Sequence, residues 1–223
     1  MFKKSFSAFI VFLCCFMMAC HAPKSLHHES LKEGDLLFQH LNCGPLCEAI
    51  EAVTQGVEGK KFAHCAMIVK IDDSLKVIEA IGNKVQTNSI TAFFARSGDT
   101  NGVHNVTLGR VKNKYKSLLK KAVEFAKKQI GQPYDDEFLL DNGKWYCSEL
   151  LYESFKAANN QKDFFILSPM TYKQPGSNDF FPAWIDYYRQ LKAPIPEGKP
   201  GINPGSISRS DKIEIIQYPV LIK

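Results

Sequence analysis

The sequence has no internal repeat, no cluster of Lys and Arg interleaved with aromatics, and too few cysteines for a multi-disulfide framework. The first absence argues against repeat architectures. The second leaves a nucleic-acid partner without support, and a formal net charge of +5 over 223 residues is too modest to restore it. The third follows from where the seven cysteines fall. Cys14 and Cys15 lie in an N-terminal leader, which leaves Cys20, Cys43, Cys47, Cys65 and Cys147. If Cys20 carries a lipid and Cys147 stays free, the other three form an odd set.

The leader itself is defined by what it falls short of. Lys3 and Lys4 precede an apolar run from Phe6 to Ala19 that is too short to span a bilayer comfortably. A basic start, an apolar stretch and a small residue before the break describe a secretory signal over residues 1–19. Met17-Met18-Ala19-Cys20 resembles a bacterial lipobox, in which Cys20 would become the lipidated first residue of the mature chain. Residues 20–30 then read as a lipidated polar tether and residues 31–223 as one folded domain. The expected location is the bacterial cell envelope, lipid-anchored on the periplasmic side of the outer membrane.

Hydrophobic content of 45% and charged content of 23% are those of an ordinary globular domain. Leu36-Leu37-Phe38-Gln39 reads as a short buried strand, and Pro45 to Val57 has helical spacing. Phe62 to Ile71 predicts a strand, Asp72-Asp73-Ser74 a turn, and Lys76 to Ile81 the returning strand of a hairpin. A short helix around Ile90 to Ala95 and a strand from His104 to Val111 follow. Tyr115 to Ile130 is an amphipathic helix with Leu118, Leu119, Ala122, Phe125, Ala126 and Ile130 on its apolar side. Beyond Gly131-Gln132-Pro133, a helix is expected to start at Cys147, another near Phe180 to Leu191, and a last strand at Lys212 to Tyr218.

The start of the Cys147 helix carries the chemistry. Unpaired N–H groups and the positive end of the helix dipole favour a thiolate there, and the same N–H groups can hold an oxyanion. The alternative is a small buried core residue. A thiol nucleophile needs a base, and the base needs a partner. His40, His64 and His104 lie in the domain; His64, at the start of a strong strand, suits an exposed imidazole. Glu79 interrupts the apolar strand Val77-Ile78-Glu79-Ala80-Ile81; if the hairpin closes at Asp73-Ser74 it comes close to opposite Met67, or within a few residues of His64 if the register shifts. A carboxylate inside a sheet is costly unless paired; the alternative is a solvent-facing position.

These segments resemble a known family. Gly34 to Gln39, Ala63 to Val69, Val77 to Ile81, Gly131-Gln132-Pro133-Tyr134-Asp135, Tyr146 to Leu150 and the arm from Pro196 to Ser210 look like the YiiX/YebB-like family. Its members are circularly permuted relatives of the NlpC-type papain-fold cysteine hydrolases. The resemblance implies an α+β fold, an antiparallel sheet packed against helices, with Cys147 as nucleophile, His64 as general base and Glu79 as its orienting partner. Gln39 either donates to the oxyanion or simply ends a strand, and Tyr146 either lines the pocket or anchors the helix. Cys43, Cys47, Cys65, His40 and His64 invite a zinc site. However, no second Cys pair matches the first, and strand alternation sends His64 and Cys65 to opposite faces, so neither metal nor cofactor is expected. A Cys43–Cys47 bridge is open, against unfavourable helical spacing, and Cys65 reads as core. The implied reaction is thiol hydrolysis of an amide, either a peptidoglycan-derived peptide or another small amide. Acyl chemistry on lipids, of the lecithin retinol acyltransferase-like type, and a non-catalytic binding module are the competing readings. A small polar pocket would favour amides, and a long apolar groove lipids.

Overall fold

The computed structural model describes residues 31–97 and 105–217; the leader, Cys20, its tether and His104 lie outside the described residues. In chain order the elements are β1 (Leu36–Gln39), α1 (Pro45–Val53), β2 (His64–Ile71), β3 (Ser74–Ile81), β4 (Lys84–Asn88), α2 (Ile90–Ala95), β5 (Val106–Val111), α3 (Leu119–Lys128) and α4 (Cys147–Ala158). Then come β6 (Ser168–Pro169), α5 (Pro182–Leu191), β7 (Pro200–Gly201), α6 (Pro204–Ser208) and β8 (Ile213–Gln217). Six strands form one antiparallel sheet in the order β4-β3-β2-β1-β5-β8, and β6 and β7 make a separate two-residue ribbon. The expected α+β architecture is therefore present.

Alternation along β2 divides the core. Cys65, Met67 and Val69 pack with Leu150, Leu151 and Phe155 of α4 and with Ala122 and Ala126 of α3. Ala66 and Ile68 point to the other face, against Phe93 and Phe94 of α2. A third cluster, built on Ala49, Tyr172, Trp184 and Tyr188, joins α1 to α5.

Two helix bounds change, one strand was not expected, and one open pairing is decided. The Pro45 helix stops at Val53, where Thr54 turns its hydroxyl onto the carbonyls of Ile50 and Phe62 at 2.8 and 3.0 Å. Strand β4 carries one apolar residue, Val85, among polar ones, so it has no clear alternation; it is an edge strand, where polar residues are tolerated. The Tyr115 helix begins as a 3-10 turn, Asn113–Leu118, and its α-helical part ends at Lys128, which leaves Ile130 44% exposed and outside the apolar stripe. Finally, Cys43 and Cys47 are joined. Cys43 lies outside α1, and Gly44 between them takes φ +77°, so helical spacing never applied to the pair. Among the described residues no helix is long and apolar enough to cross a membrane.

Candidate active site

Cys147 is the first residue of α4, and its neighbours on both sides hold the same segment. Ser148 Oγ donates to the carbonyl of Ile202 at 2.9 Å, and the Ile202 N–H donates to Tyr146 Oη at 3.2 Å. The late arm is thus pinned across the start of the helix. It passes so near Thr54 and Gln55 that a Cβ on Gly205 would lie 2.4 Å from a backbone oxygen. Glu149, in the same first turn, accepts the Tyr146 N–H at 3.3 Å, and burial pushes its carboxyl up to about 9. It therefore stays neutral near pH 7 and adds no negative charge beside the thiol.

His64 and Glu79 meet across β2 and β3. Their ladder is registered as far as Met67 against Ile78; carried on, it sets His64 across from Ile81, so Glu79 is the diagonal neighbour on the same face. His64 Nε2 lies 2.6 Å from Glu79 Oε2. The carboxylate is completely buried and has two more partners, Asn88 Nδ2 at 2.8 Å on Oε1 and Arg96 Nη2 at 2.5 Å on Oε2. With Nε2 committed to Glu79, Nδ1 is the imidazole nitrogen left for Cys147.

The charges reinforce one another. Burial opposes a charged His64, but its hydrogen bonds and charge pairing with Cys147 and Glu79 win, raising its pKa to about 9. Burial likewise works against the Glu79 anion, yet His64 and then Arg96 pull it down to about 2. Cys147 is held well below the ordinary thiol range, most strongly by a hydrogen bond from the Cys65 side chain and then, against burial, by the bond and charge of His64. The group is a buried thiolate–imidazolium pair backed by a carboxylate. Such a pair can attack a carbonyl carbon and deliver a proton to the leaving group.

A cavity of about 430 Å³ opens onto both Cys147 and His64. Its walls include Tyr134, Phe138, Tyr172, Trp184 and Tyr187, aliphatic residues of α1, the Cys43–Cys47 bridge and Arg209. Among the described residues no Asp or Glu lines it.

Residues 30–217 match the permuted papain-like amidases of the YaeF/YiiX, or C92, family. The chain belongs to that family. It is accordingly a papain-like cysteine hydrolase of the amidase and peptidase class. Among solved structures, the metalloprotein YiiX of Escherichia coli O157:H7 is similar in fold: TM-score 0.67, 20% identity, covering 83% of this chain and 96% of that one. No curated protein matches the sequence significantly. Among the described residues of this amidase, no three His, Cys, Asp or Glu side chains are grouped to hold a metal ion.

The remaining candidates separate clearly. Gln39 of this amidase is buried, pairs with His64 across β1 and β2, and donates Nε2 to the Phe93 carbonyl at 2.6 Å. It stands outside the cavity walls, so as placed it supports α2 rather than a bound oxyanion. Tyr146 lines the cavity, and its hydroxyl accepts the Ile202 N–H of the late arm. His40 is tied to Glu51 at 2.6 Å and lines a different pocket. Asp35 accepts the Lys32 N–H and a two-pronged bond from Arg110, while Asp135 caps the turn through Glu137 and Leu139. Four contributors went unread in the sequence: Arg96, Asn88, Cys65 and Tyr134. Tyr134 had a signal, since it sits in the quoted Gly131–Asp135 motif. Its ring lines the cavity near enough for the Cys147 charge to push its hydroxyl pKa up further, on top of burial.

Proposed function

We propose that the enzyme cleaves an amide bond through Cys147, His64 and Glu79, forming an acyl-enzyme on Cys147, and that its substrate presents a sizeable apolar group. The carrying observation is the cavity: one space is bounded by the nucleophile, the base and a wall of aromatic and aliphatic side chains. His64 passes its proton to the departing amine, then takes one from the water that releases the acyl group. The oxyanion is held by the Cys147 N–H, an orphan donor of the first helical turn, and by the Tyr134 hydroxyl. In this reading Tyr134 takes the place first considered for Gln39.

The same apolar walls favour a second reading, acyl transfer or hydrolysis on a lipid ester. Thr54, Ser168, Thr171, Asn203, Ser206 and Arg209 in the same lining leave hydrogen-bond partners for a third reading, a polar cell-wall peptide. A panel of cell-wall fragments, N-acyl amides of graded chain length and acyl lipids distinguishes the three. Turnover should be best for N-acyl amides and rise with acyl length, with the acyl mass appearing on Cys147. Activity confined to cell-wall fragments would overturn the apolar-substrate reading, and activity on lipid esters alone would move it to lipids.

We further propose an envelope location, with residues 1–19 removed and Cys20 acylated. The support is Lys3, Lys4, the apolar run to Ala19 and the lipobox-like Met17-Met18-Ala19-Cys20. Mass spectrometry of membrane-extracted protein should find an acylated peptide that begins at Cys20. An unmodified Cys20 within a longer peptide would reject the anchor.

A further inference from the structure

The late arm gives the cavity a side unlike the aromatic residues of the Tyr134 loop and α5: Asn203, Ser206 and Arg209. Its backbone is fixed before and within this stretch. Ile202 is held by Ser148 and Tyr146, the two residues flanking Cys147, and Ser208 Oγ accepts the Val57 N–H at 3.0 Å. Asn203 caps α6 with Oδ1, which accepts the Ser206 N–H at 2.8 Å, so its Nδ2 group is left as a donor. Arg209 directly follows α6, about 9 Å along the helix axis from Asn203. Its side chain is exposed and has neither an ion pair nor a hydrogen bond among the described residues. The catalytic group leaves that charge unanswered, because the Cys147 and Glu79 anions are matched by His64 and Arg96.

We propose that Arg209, assisted by Asn203 Nδ2, is a specificity-determining residue that holds a carboxylate of the substrate, so that the enzyme acts on amphiphilic amides bearing one negative charge. The aromatic and aliphatic walls take the apolar part, and the arm takes the anion. A guanidinium donates two parallel N–H bonds to a carboxylate and meets no equal partner in a neutral amide. A cationic substrate would meet Arg209 as a like charge. Since Ile202 ties the arm to both neighbours of Cys147, a carboxylate bound along it brings the rest of the substrate over the thiolate. Arg209 faces water, so screening limits the preference to about five- to tenfold. Turnover of such a substrate rests on Cys147 acting as the nucleophile; its binding does not.

Two matched pairs of amides separate the two places a carboxylate can occupy. N-acylglycine and N-acylglycinamide carry or lack it on the departing amine. The N-alkyl monoamide of a long dicarboxylic acid, and the same compound with its acid as a carboxamide, carry or lack it on the acyl part. Turnover is measured with the full-length enzyme, and binding to Cys147→Ala by calorimetry. In one pair the wild type should favour the carboxylate about five- to tenfold in kcat/KM, mainly through KM, and Cys147→Ala should show the same preference in Kd. Arg209→Gln should bring that pair together, and Arg209→Lys should keep part of the difference. Asn203→Asp retains the cap but sets a like charge beside the carboxylate, and should also erase the preference. No preference in either pair, or one that persists in Arg209→Gln, overturns the assignment. A preference in binding without turnover of any compound leaves the Arg209 site standing and rejects the amidase reading. Neither binding nor turnover, at every acyl length, rejects both.

Discussion

Replacing Cys147 by Ala should abolish turnover, by about ten-thousand-fold or more, while leaving the fold in place. The side chain is 7% exposed and small, so its loss creates little cavity. What it removes is the acyl acceptor, for which the site offers no substitute: Ser148 spends its hydroxyl on Ile202, and Cys65 lies completely buried. Cys147 should also be the first cysteine alkylated by iodoacetamide and should still react below pH 7. Its alkaline limit for catalysis should fall near pH 9, where His64 loses the proton needed by the leaving group. The sign of the His64 contribution follows. The imidazolium stabilises the thiolate, so His64→Ala should carry the Cys147 profile upward, toward the free-thiol value of about 8.5. A buried thiol without this setting would behave in the opposite way and stay inert until unfolding. Full activity in Cys147→Ala, or a Cys147 inert in the native protein, ends the hydrolase mechanism drawn here.

Much of this arrangement could be read from periodicity and motif, and the limits have physical causes. The helix beginning at Cys147 and the β2–β3 hairpin are local features; their apolar spacing and turn residues lie within a dozen positions of each other. The meeting of His64 with Glu79 depends on hairpin register, which spacing narrows to within a residue or two and strand pairing then fixes. Arg96 and Asn88 could not be seen. Each reaches Glu79 only because β4 and α2 fold back beside β3, and nothing in their own neighbourhoods announces it. The cavity is less local still. Its walls come from α1, the Tyr134 loop, α5 and the late arm, segments separated by more than a hundred residues. On sequence alone Gln39 is open between an oxyanion donor and a strand end, and it does end β1. Its residue type suits both, and the fold brings its amide to the Phe93 carbonyl of α2, which also accepts the Arg96 N–H.

Glu79→Gln should cost about a hundredfold or more in kcat/KM, and the loss should come mainly from kcat. The change is nearly isosteric, so the Asn88 bond and the packing can survive. The charge cannot. Glu79 balances two cations, His64 and Arg96, from a site without solvent exposure. Once it is neutral, the His64 imidazolium loses its partner, and the His64 pKa should fall from about 9 toward or below 6.5. A less basic imidazole in turn surrenders the thiolate of Cys147. The carboxamide can also present its NH₂ group to Nε2, which selects the tautomer with its proton on Nδ1, the wrong nitrogen for a base facing Cys147. Stability should register the same loss, with a pH signature. Glu79 titrates at about 2 when folded against 4.5 in its ordinary state, so its contribution is present above about 4.5 and disappears as the pH falls toward 2. His64 is raised from 6.5 to about 9, so its contribution is complete below 6.5 and lost as the pH climbs through 9. The difference in melting temperature between wild type and Glu79→Gln should therefore be widest between about pH 4.5 and 6.5 and shrink on either side. Activity and melting curves that match wild type at pH 6 would remove Glu79 from the site and leave Asn88 and Arg96 clustered around a carboxylate with no catalytic consequence.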